Sequence, residues 1–197
     1  MRHKEFLQYV HEIKDALEGT RFTNRAQGVL KEDEGLRRAI TFLKESRRNR
    51  KKVMLIGNGG SAAIASHMAQ DFSKAAGLRA VAFNDASLLT CLANDYSFED
   101  MFSKAIELYG DSGDTLFAIS SSGNSPDILR GVERAKALGI RVITLSGFNP
   151  RNKLSRLGEL NIHIPSSVYG VVEMSHHSVL HCLCDYFMKL NNRSRSL

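Results

Sequence analysis

Five strand-forming residues, 115–119, run directly into a serine-rich loop, and this junction strongly limits the folds open to the chain. The five residues are apolar or β-prone without an amphipathic period, which predicts a short strand buried on both faces. Ser125 suits a helix N-cap and Pro126 suits the first helical position, so a helix is expected to start at Ser125. An open α/β sheet binds anions where a strand ends in such a loop before a helix N-terminus.

Hydroxyl and amide groups are concentrated in this loop, and with the free N–H groups of the helix start they predict a phosphate site. Its candidate residues are Ser120, Ser121, Ser122, Asn124 and Ser125. A glycine-rich loop after residues 53–56 would let a ligand approach the backbone closely, which adds Asn58, Gly59, Gly60 and Ser61. The alternative for the serine loop, taken alone, is an ordinary strand-to-helix turn.

Short apolar strands alternate with helices along the rest of the chain. The expected strands are residues 53–56, 79–83, 115–119, 141–145 and 160–164. Alternation of this kind predicts an α/β fold: a five-stranded parallel sheet with helices on both faces, doubly wound and flavodoxin-like. A dinucleotide-binding fold fits less well, because Ala62 replaces the last glycine of its fingerprint and that fold does not need a second polar loop.

Two amphipathic helices precede the first of these strands. A doubly wound core does not require them, so their apolar stripes are expected to pack on a partner subunit. We therefore predict a homo-oligomer, with residues 1–50 as a helical oligomerisation segment and residues 51–197 as the ligand-binding domain.

Composition limits the partners. The 197 residues are 43% hydrophobic and carry a net charge of +6, and no apolar run approaches the ~18 residues that a membrane span needs. The basic runs near Arg47 and in the C-terminal tail are typical of solvated helix ends, so nucleic acid is not a favoured partner. Cys91, Cys182 and Cys184 lie in apolar segments without zinc-finger spacing, which indicates reduced thiols in the core of a cytoplasmic protein.

Two helices carry groups able to move protons or bind metal. His67 and Asp71 stand four residues apart and share a helix face, and Glu173 and His181, eight apart, can share another. Imidazoles with carboxylates are a plausible zinc site. His176 and His177, beside Glu173, could also reach the metal, and His177, one turn after Glu173, is the first alternative to His181 as ligand. A core or interface role is the alternative for each histidine taken alone.

Several motifs in sequence order resemble the sugar isomerase (SIS) domain of the phosphoheptose isomerase family. They are residues 57–61, the turn 93–96, and residues 119–125 and 142–147. The resemblance implies a homotetramer with sites between subunits, in which the serine loop holds a sugar phosphate. It also implies conversion of sedoheptulose 7-phosphate into D-glycero-D-manno-heptose 7-phosphate, which would feed lipopolysaccharide, capsule or another glycan.

The family usually carries His, Glu, Gln and His at its metal-binding and catalytic positions. By the resemblance, His67, Asp71, Glu173 and His181 would bind zinc, Asp71 would be the base and His181 the acid. Asp71 stands where the family has Glu, and Glu173 stands where it has Gln.

Glu173, Asn94 and Asp95 are further candidates for substrate contact, although Asn94 and Asp95 would equally close a turn. Lys74 is a candidate substitute for an arginine that the family carries after this helix.

Two other functions stay open from the sequence. One is a non-catalytic SIS module that binds a partner protein and senses a phosphosugar, resembling a replication-initiation factor whose close relatives share residues 182–185. The other is a related enzyme that acts on a different ketose phosphate.

Overall fold

The computed structural model describes residues 3–26 and 28–193, and its strands and helices alternate as the sequence predicts. The strands are β1 (Arg21–Asn24), β2 (Val29–Leu30), β3 (Lys52–Gly57), β4 (Arg79–Ala82), β5 (Thr115–Ser120), β6 (Arg141–Ser146) and β7 (Leu160–His163). The helices are α1 (His3–Glu18), α2 (Glu32–Arg48), α3 (Gly60–Lys74), α4 (Ala86–Asp95), α5 (Met101–Tyr109), α6 (Pro126–Ala137) and α7 (Tyr169–Arg193).

One sheet runs through the molecule in the order β2-β1-β7-β6-β5-β3-β4. Its five strands from β7 to β4 are parallel, which confirms the predicted parallel core and the α/β class. The expected total of five strands is wrong for the described residues, because β1 and β2 form a hairpin that extends the sheet antiparallel to β7. The hairpin is held by Phe22, which is buried in the core.

Side chains that alternate along the central strands build two hydrophobic clusters, one on each face of the sheet. Leu55 and Ile119 belong to the cluster covered by α1, α2, α3 and α7. Met54 and Leu116 belong to the cluster covered by α4, α5 and α6. Burial on both faces explains why these strands are apolar without alternation.

Helix α4 replaces the turn expected at residues 93–96. Its N-cap is Asp85, whose side chain accepts a hydrogen bond from the backbone N–H of Leu88 at 2.9 Å. Asn94 and Asp95 lie in the last turn of this helix. The loops that follow β3 and β5 open at the same edge of the parallel sheet, where α/β proteins place their ligand sites. Within the described part of the chain, the helices lack the length and apolarity that crossing a membrane demands.

Candidate active site

A cavity of about 220 Å³ lies where the loops after β3 and β5 meet the start of α7. It brings together most of the predicted phosphate-binding residues. Its lining consists of Asn58, Gly59, Gly60, Ser61, Ile119, Ser120, Ser121, Ser122, Ser125, Tyr169 and Glu173.

The serine loop leads into α6 as the sequence predicts, with Ser125 as the N-cap residue and Pro126 in the first turn. The Ser125 hydroxyl does not cap the helix but lies 3.2 Å from the hydroxyl of Ser120. The buried Ser121 hydroxyl lines the cavity without a hydrogen-bond partner among the described residues. Because a buried hydroxyl without a partner is costly, its position favours a polar ligand in the cavity.

Asn124 has a different environment from the other loop residues. Its side-chain N–H donates to the carbonyl oxygen of Ser122 at 3.1 Å, and its side-chain oxygen accepts from the backbone N–H of Lys153 at 3.2 Å. Asn124 therefore stabilises the shape of the loop and does not line the cavity.

The glycine-rich loop is joined to the start of α6 by a partly buried side-chain pair. Asn58 donates to a carboxylate oxygen of Asp127 at 2.8 Å. Burial raises the pKa of the Asp127 carboxyl, although hydrogen bonds from Asn58 and from backbone N–H groups oppose this shift. The pair fixes the Asn58 side chain on the wall of the cavity.

Glu173 reaches the cavity from the first turns of α7. A side chain at position 60 would have its Cβ 2.4 Å from a carboxylate oxygen of Glu173, so only glycine leaves room for this group at the start of α3. The structure thus places Glu173 beside the glycine-rich loop.

A second group of functional side chains lies between α3 and α7. The side chains of His67, His177 and His181 each offer one ring nitrogen, and these three atoms lie within 4.8 Å of one another. One carboxylate oxygen of Asp71 lies 3.4 Å from Nε2 of His67 and 3.6 Å from Nδ1 of His181. The structure therefore brings together His67, Asp71 and His181, and adds His177.

The ring centroid of His177 lies 4.9 Å from that of His67 and 4.6 Å from that of His181. Burial lowers the pKa of the His177 imidazole, and the nearby rings of His181 and His67 lower it further. The side chains of His67 and His181 keep 51% and 41% of their surface exposed, so a substrate can reach the cluster. Imidazole and carboxylate are donor types that zinc prefers, and these side chains lie close enough for small rotations to bring them around one ion.

Helix α7 connects the serine cavity with the histidine cluster. Glu173, His177 and His181 follow one another at intervals of four residues, which places them on one stripe of the helix. At 1.5 Å per residue, the Cα atoms of Glu173 and His181 are about 12 Å apart along the axis. This span suits a ligand with its phosphate in the serine cavity and its other end at the cluster.

Other predicted residues lie elsewhere in the chain. Asn94 donates to the carboxylate of Asp95 at 2.9 Å, and neither residue lines the serine cavity. Lys74 is exposed at the end of α3.

One residue that lines the cavity was not predicted, and one possible metal ligand lies away from the site. Tyr169 lines the cavity and packs edge-on against Phe148, with ring centroids 4.8 Å apart; it belongs to none of the sequence motifs described above. The expectation that His176 could reach the metal is wrong, because its side chain points into the core. There its Nε2 lies 3.1 Å from the carbonyl oxygen of Ser146, and burial lowers its pKa to about 4.

Comparison with known proteins gives consistent matches. The family profile of the SIS domain matches residues 8–147. The chain is 33% identical to a phosphoheptose isomerase of Helicobacter pylori over 92% of its own length and 91% of that protein. It is 39% identical to a phosphoheptose isomerase of Fusobacterium nucleatum over 68% of its length and 72% of that protein.

Solved structures agree with these sequence matches. The phosphoheptose isomerase of Neisseria gonorrhoeae superposes with a TM-score of 0.80 at 28% identity, covering 93% of this chain and 95% of that one. The enzyme of Francisella tularensis gives a TM-score of 0.79 at 25% identity, covering 94% and 95%.

Proposed function

Because this chain belongs to the phosphoheptose isomerase family of SIS-domain proteins, we propose that it interconverts sedoheptulose 7-phosphate and D-glycero-D-manno-heptose 7-phosphate. The observation that carries the proposal is the connection by α7 between the serine cavity and the cluster of His67, Asp71 and His181. A binding module needs the cavity alone, whereas an isomerase also needs acid and base groups within reach of the sugar carbonyl.

The phosphate would bind in the serine cavity. Ser120, Ser121, Ser122 and Ser125 offer hydroxyls, and the start of α6 offers backbone N–H groups and the positive end of its dipole. Asn58 and Ser61 would complete the phosphate contacts from the other loop. Glu173, at the edge of the cavity, would accept hydrogen bonds from sugar hydroxyls.

The isomerisation would move one carbon-bound proton and one oxygen-bound proton. Asp71 takes a proton from C1, the C–H electron pair forms the C1–C2 double bond, and the C2 oxygen takes a proton from His181. Asp71 then delivers its proton to C2, and His181 recovers a proton from the C1 hydroxyl, which becomes the aldehyde. Both side chains return to their starting states.

Zinc is the proposed cofactor. The residues that the sequence assigns to it are His67, Asp71, Glu173 and His181, and their donor types suit this metal. When bound, zinc would polarise the substrate carbonyl and offset the charge of the enediolate. Each imidazole has two ring nitrogens, so a histidine that binds zinc keeps one for hydrogen bonding.

We further propose a cytoplasmic homotetramer in which residues 1–50 contribute to assembly and residues 51–197 bind the phosphosugar. Cys184 is buried as expected, whereas the core position expected for Cys91 and Cys182 is wrong, because both are exposed. All three are free thiols, which suits a reducing compartment. Phe6 and Val10 of α1 expose about half of their surface, as side chains at a subunit contact would in a single chain.

The function is tested by incubating the purified chain with sedoheptulose 7-phosphate and zinc and following the aldose by NMR. Asp71→Asn keeps the size of the side chain but removes the base, so kcat should fall by a factor on the order of 100 to 10,000. Asp15→Asn, at an exposed position on α1, is the matched control and should retain wild-type turnover. A folded wild-type chain without turnover would favour the non-catalytic module instead.

A further inference from the structure

Three imidazoles lie together between α3 and α7, one more than the two histidines that the sequence assigns to the metal. The nitrogen atoms of His67, His177 and His181 lie within 4.8 Å of one another. The Nε2 atom of His177 is buried and has no hydrogen-bond partner among the described residues. A buried ring nitrogen without a partner is unfavourable in a chain without ligands, and a bound cation would satisfy it.

We propose that His177 is a zinc ligand in this chain, so that the ion is held by the imidazoles of His67, His177 and His181 instead of by Asp71 and Glu173. The inference rests on the proposed function only for the identity of the metal. Three neutral imidazoles that leave a fourth position open are a ligand set typical of catalytic zinc.

The position of Glu173 supports this assignment. Its carboxylate lies against Gly60 and lines the serine cavity, whereas His177 lies one helical turn further along α7 and contacts His67. Of Glu173 and His177, the residue that lies against the rings of His67 and His181 is thus His177. Glu173 is left to contact the sugar between its phosphate and its carbonyl.

The charge of the site gives a second argument. With Asp71 and Glu173 as ligands, two carboxylates would cancel the charge of the ion, whereas three neutral imidazoles leave it at +2 and better able to polarise a carbonyl. Asp71 is also freed to act as base. It stays within 3.6 Å of the His181 ring and 3.4 Å of the His67 ring, close enough to orient both.

Metal binding by the full-length chain tests the assignment without the sugar. The chain is stripped with a chelator, and zinc affinity is measured by competition with a chromophoric chelator. Cobalt(II) is then added in place of zinc, because its visible spectrum reports the number and kind of ligands.

His177→Ala should weaken zinc binding by about 100-fold or more and change the cobalt spectrum. Losing a metal ligand lowers metal affinity more than losing a residue that only hydrogen-bonds to a ligand. His177→Gln repeats the test with a side chain of similar size should the alanine variant not fold. Glu173→Gln should leave the affinity within about threefold and the cobalt spectrum unchanged. His11→Ala, at an exposed position on α1, controls for loss of an unrelated histidine and should bind zinc as wild type does.

Unchanged zinc affinity in folded His177 variants would overturn the inference. So would a loss in Glu173→Gln as large as that in His177→Ala, or a wild-type chain that binds no zinc. None of these outcomes depends on turnover, so a chain that binds zinc through His177 but does not isomerise the sugar would refute the proposed function alone.

Discussion

Asn58 and Asp127 form a partly buried hydrogen bond of 2.8 Å that joins the two sides of the serine cavity. They belong to the loop after β3 and to the first turn of α6, 69 residues apart in the chain. The bond holds the two halves of the proposed phosphate site in one geometry. It does so at a cost, because Asp127 is a nearly inaccessible carboxylate whose second oxygen has no partner among the described residues.

Asp127→Asn should make the chain more stable at pH 7. The raised pKa of Asp127 means that the folded chain binds this proton more tightly than the unfolded chain does. The stabilisation that comes from this tighter proton binding is therefore complete at low pH, and it is lost as the pH rises through the folded-state pKa of Asp127. Asparagine carries no charge and still accepts from Asn58, so it avoids this loss.

The test is urea unfolding of wild type and variant across the pH range. The gain in unfolding free energy should be large at pH 7 and should shrink as the pH approaches the ordinary carboxyl value of 3.8. Asp15→Asn, at an exposed carboxylate, should show no such trend. A gain for Asp127→Asn that does not vary with pH would contradict the electrostatic explanation.

Ser125→Ala should weaken phosphate binding. The Ser125 hydroxyl lines the cavity and lies 3.2 Å from that of Ser120, so its loss removes one donor to a charged ligand. A hydrogen bond to a charged group is worth about 1.5 to 3 kcal/mol, which corresponds to a rise of roughly tenfold or more in KM. Competitive inhibition by inorganic phosphate should weaken by the same factor.

Ser178→Ala is the matched control, because the Ser178 hydroxyl is exposed and donates to the carbonyl oxygen of Met174 on α7. This variant should keep the wild-type KM. Equal phosphate affinity in wild type and Ser125→Ala would move the phosphate to another part of the molecule.

The parallel core could be predicted because each of its strands is a local apolar run between turn signals. The β1–β2 hairpin could not, since the pairing of β1 with β7 joins residues 136 positions apart or more, and Phe22 alone buries its side chain there. Helix α4 was missed because its N-cap, Asp85, equally suits the end of the preceding strand.

The candidate site was partly predictable, because local spacing along each helix shows which side chains share a face. Spacing of four residues places His67 beside Asp71, and Glu173, His177 and His181 on one stripe of α7. Spacing alone does not determine which part of that stripe faces α3, because the packing of two helices distant in the chain decides it. The structure alone places His177 next to His67 and Glu173 next to Gly60.

Gly60→Ala should disturb Glu173 specifically. The new Cβ would lie 2.4 Å from the Glu173 carboxylate, so this side chain must move or the helices must separate. Because the clash is with the free end of a flexible side chain, the carboxylate should swing aside at a small cost in unfolding free energy. Turnover should fall as well, because Glu173 lines the cavity.

A double-mutant cycle with Glu173→Ala tests the cause. Once the carboxylate is removed, Gly60→Ala should lower turnover much less than it does in the wild-type background. An equal loss of turnover in both backgrounds would assign the effect to the backbone of the glycine-rich loop.

Replacing Phe6 and Val10 together by serine should weaken the assembly of the chain. These side chains are four residues apart on α1 and are 50% and 43% exposed, which leaves an apolar stripe that a partner subunit would cover. Burying such a side chain stabilises a contact by about 2 kcal/mol, so the double variant should sediment as a smaller species than wild type at equal concentration. Val29→Ser, at an 81% exposed position on β2, controls for loss of surface hydrophobicity and should sediment as wild type does. Identical sedimentation of the double variant and wild type would place the subunit contact away from this stripe of α1.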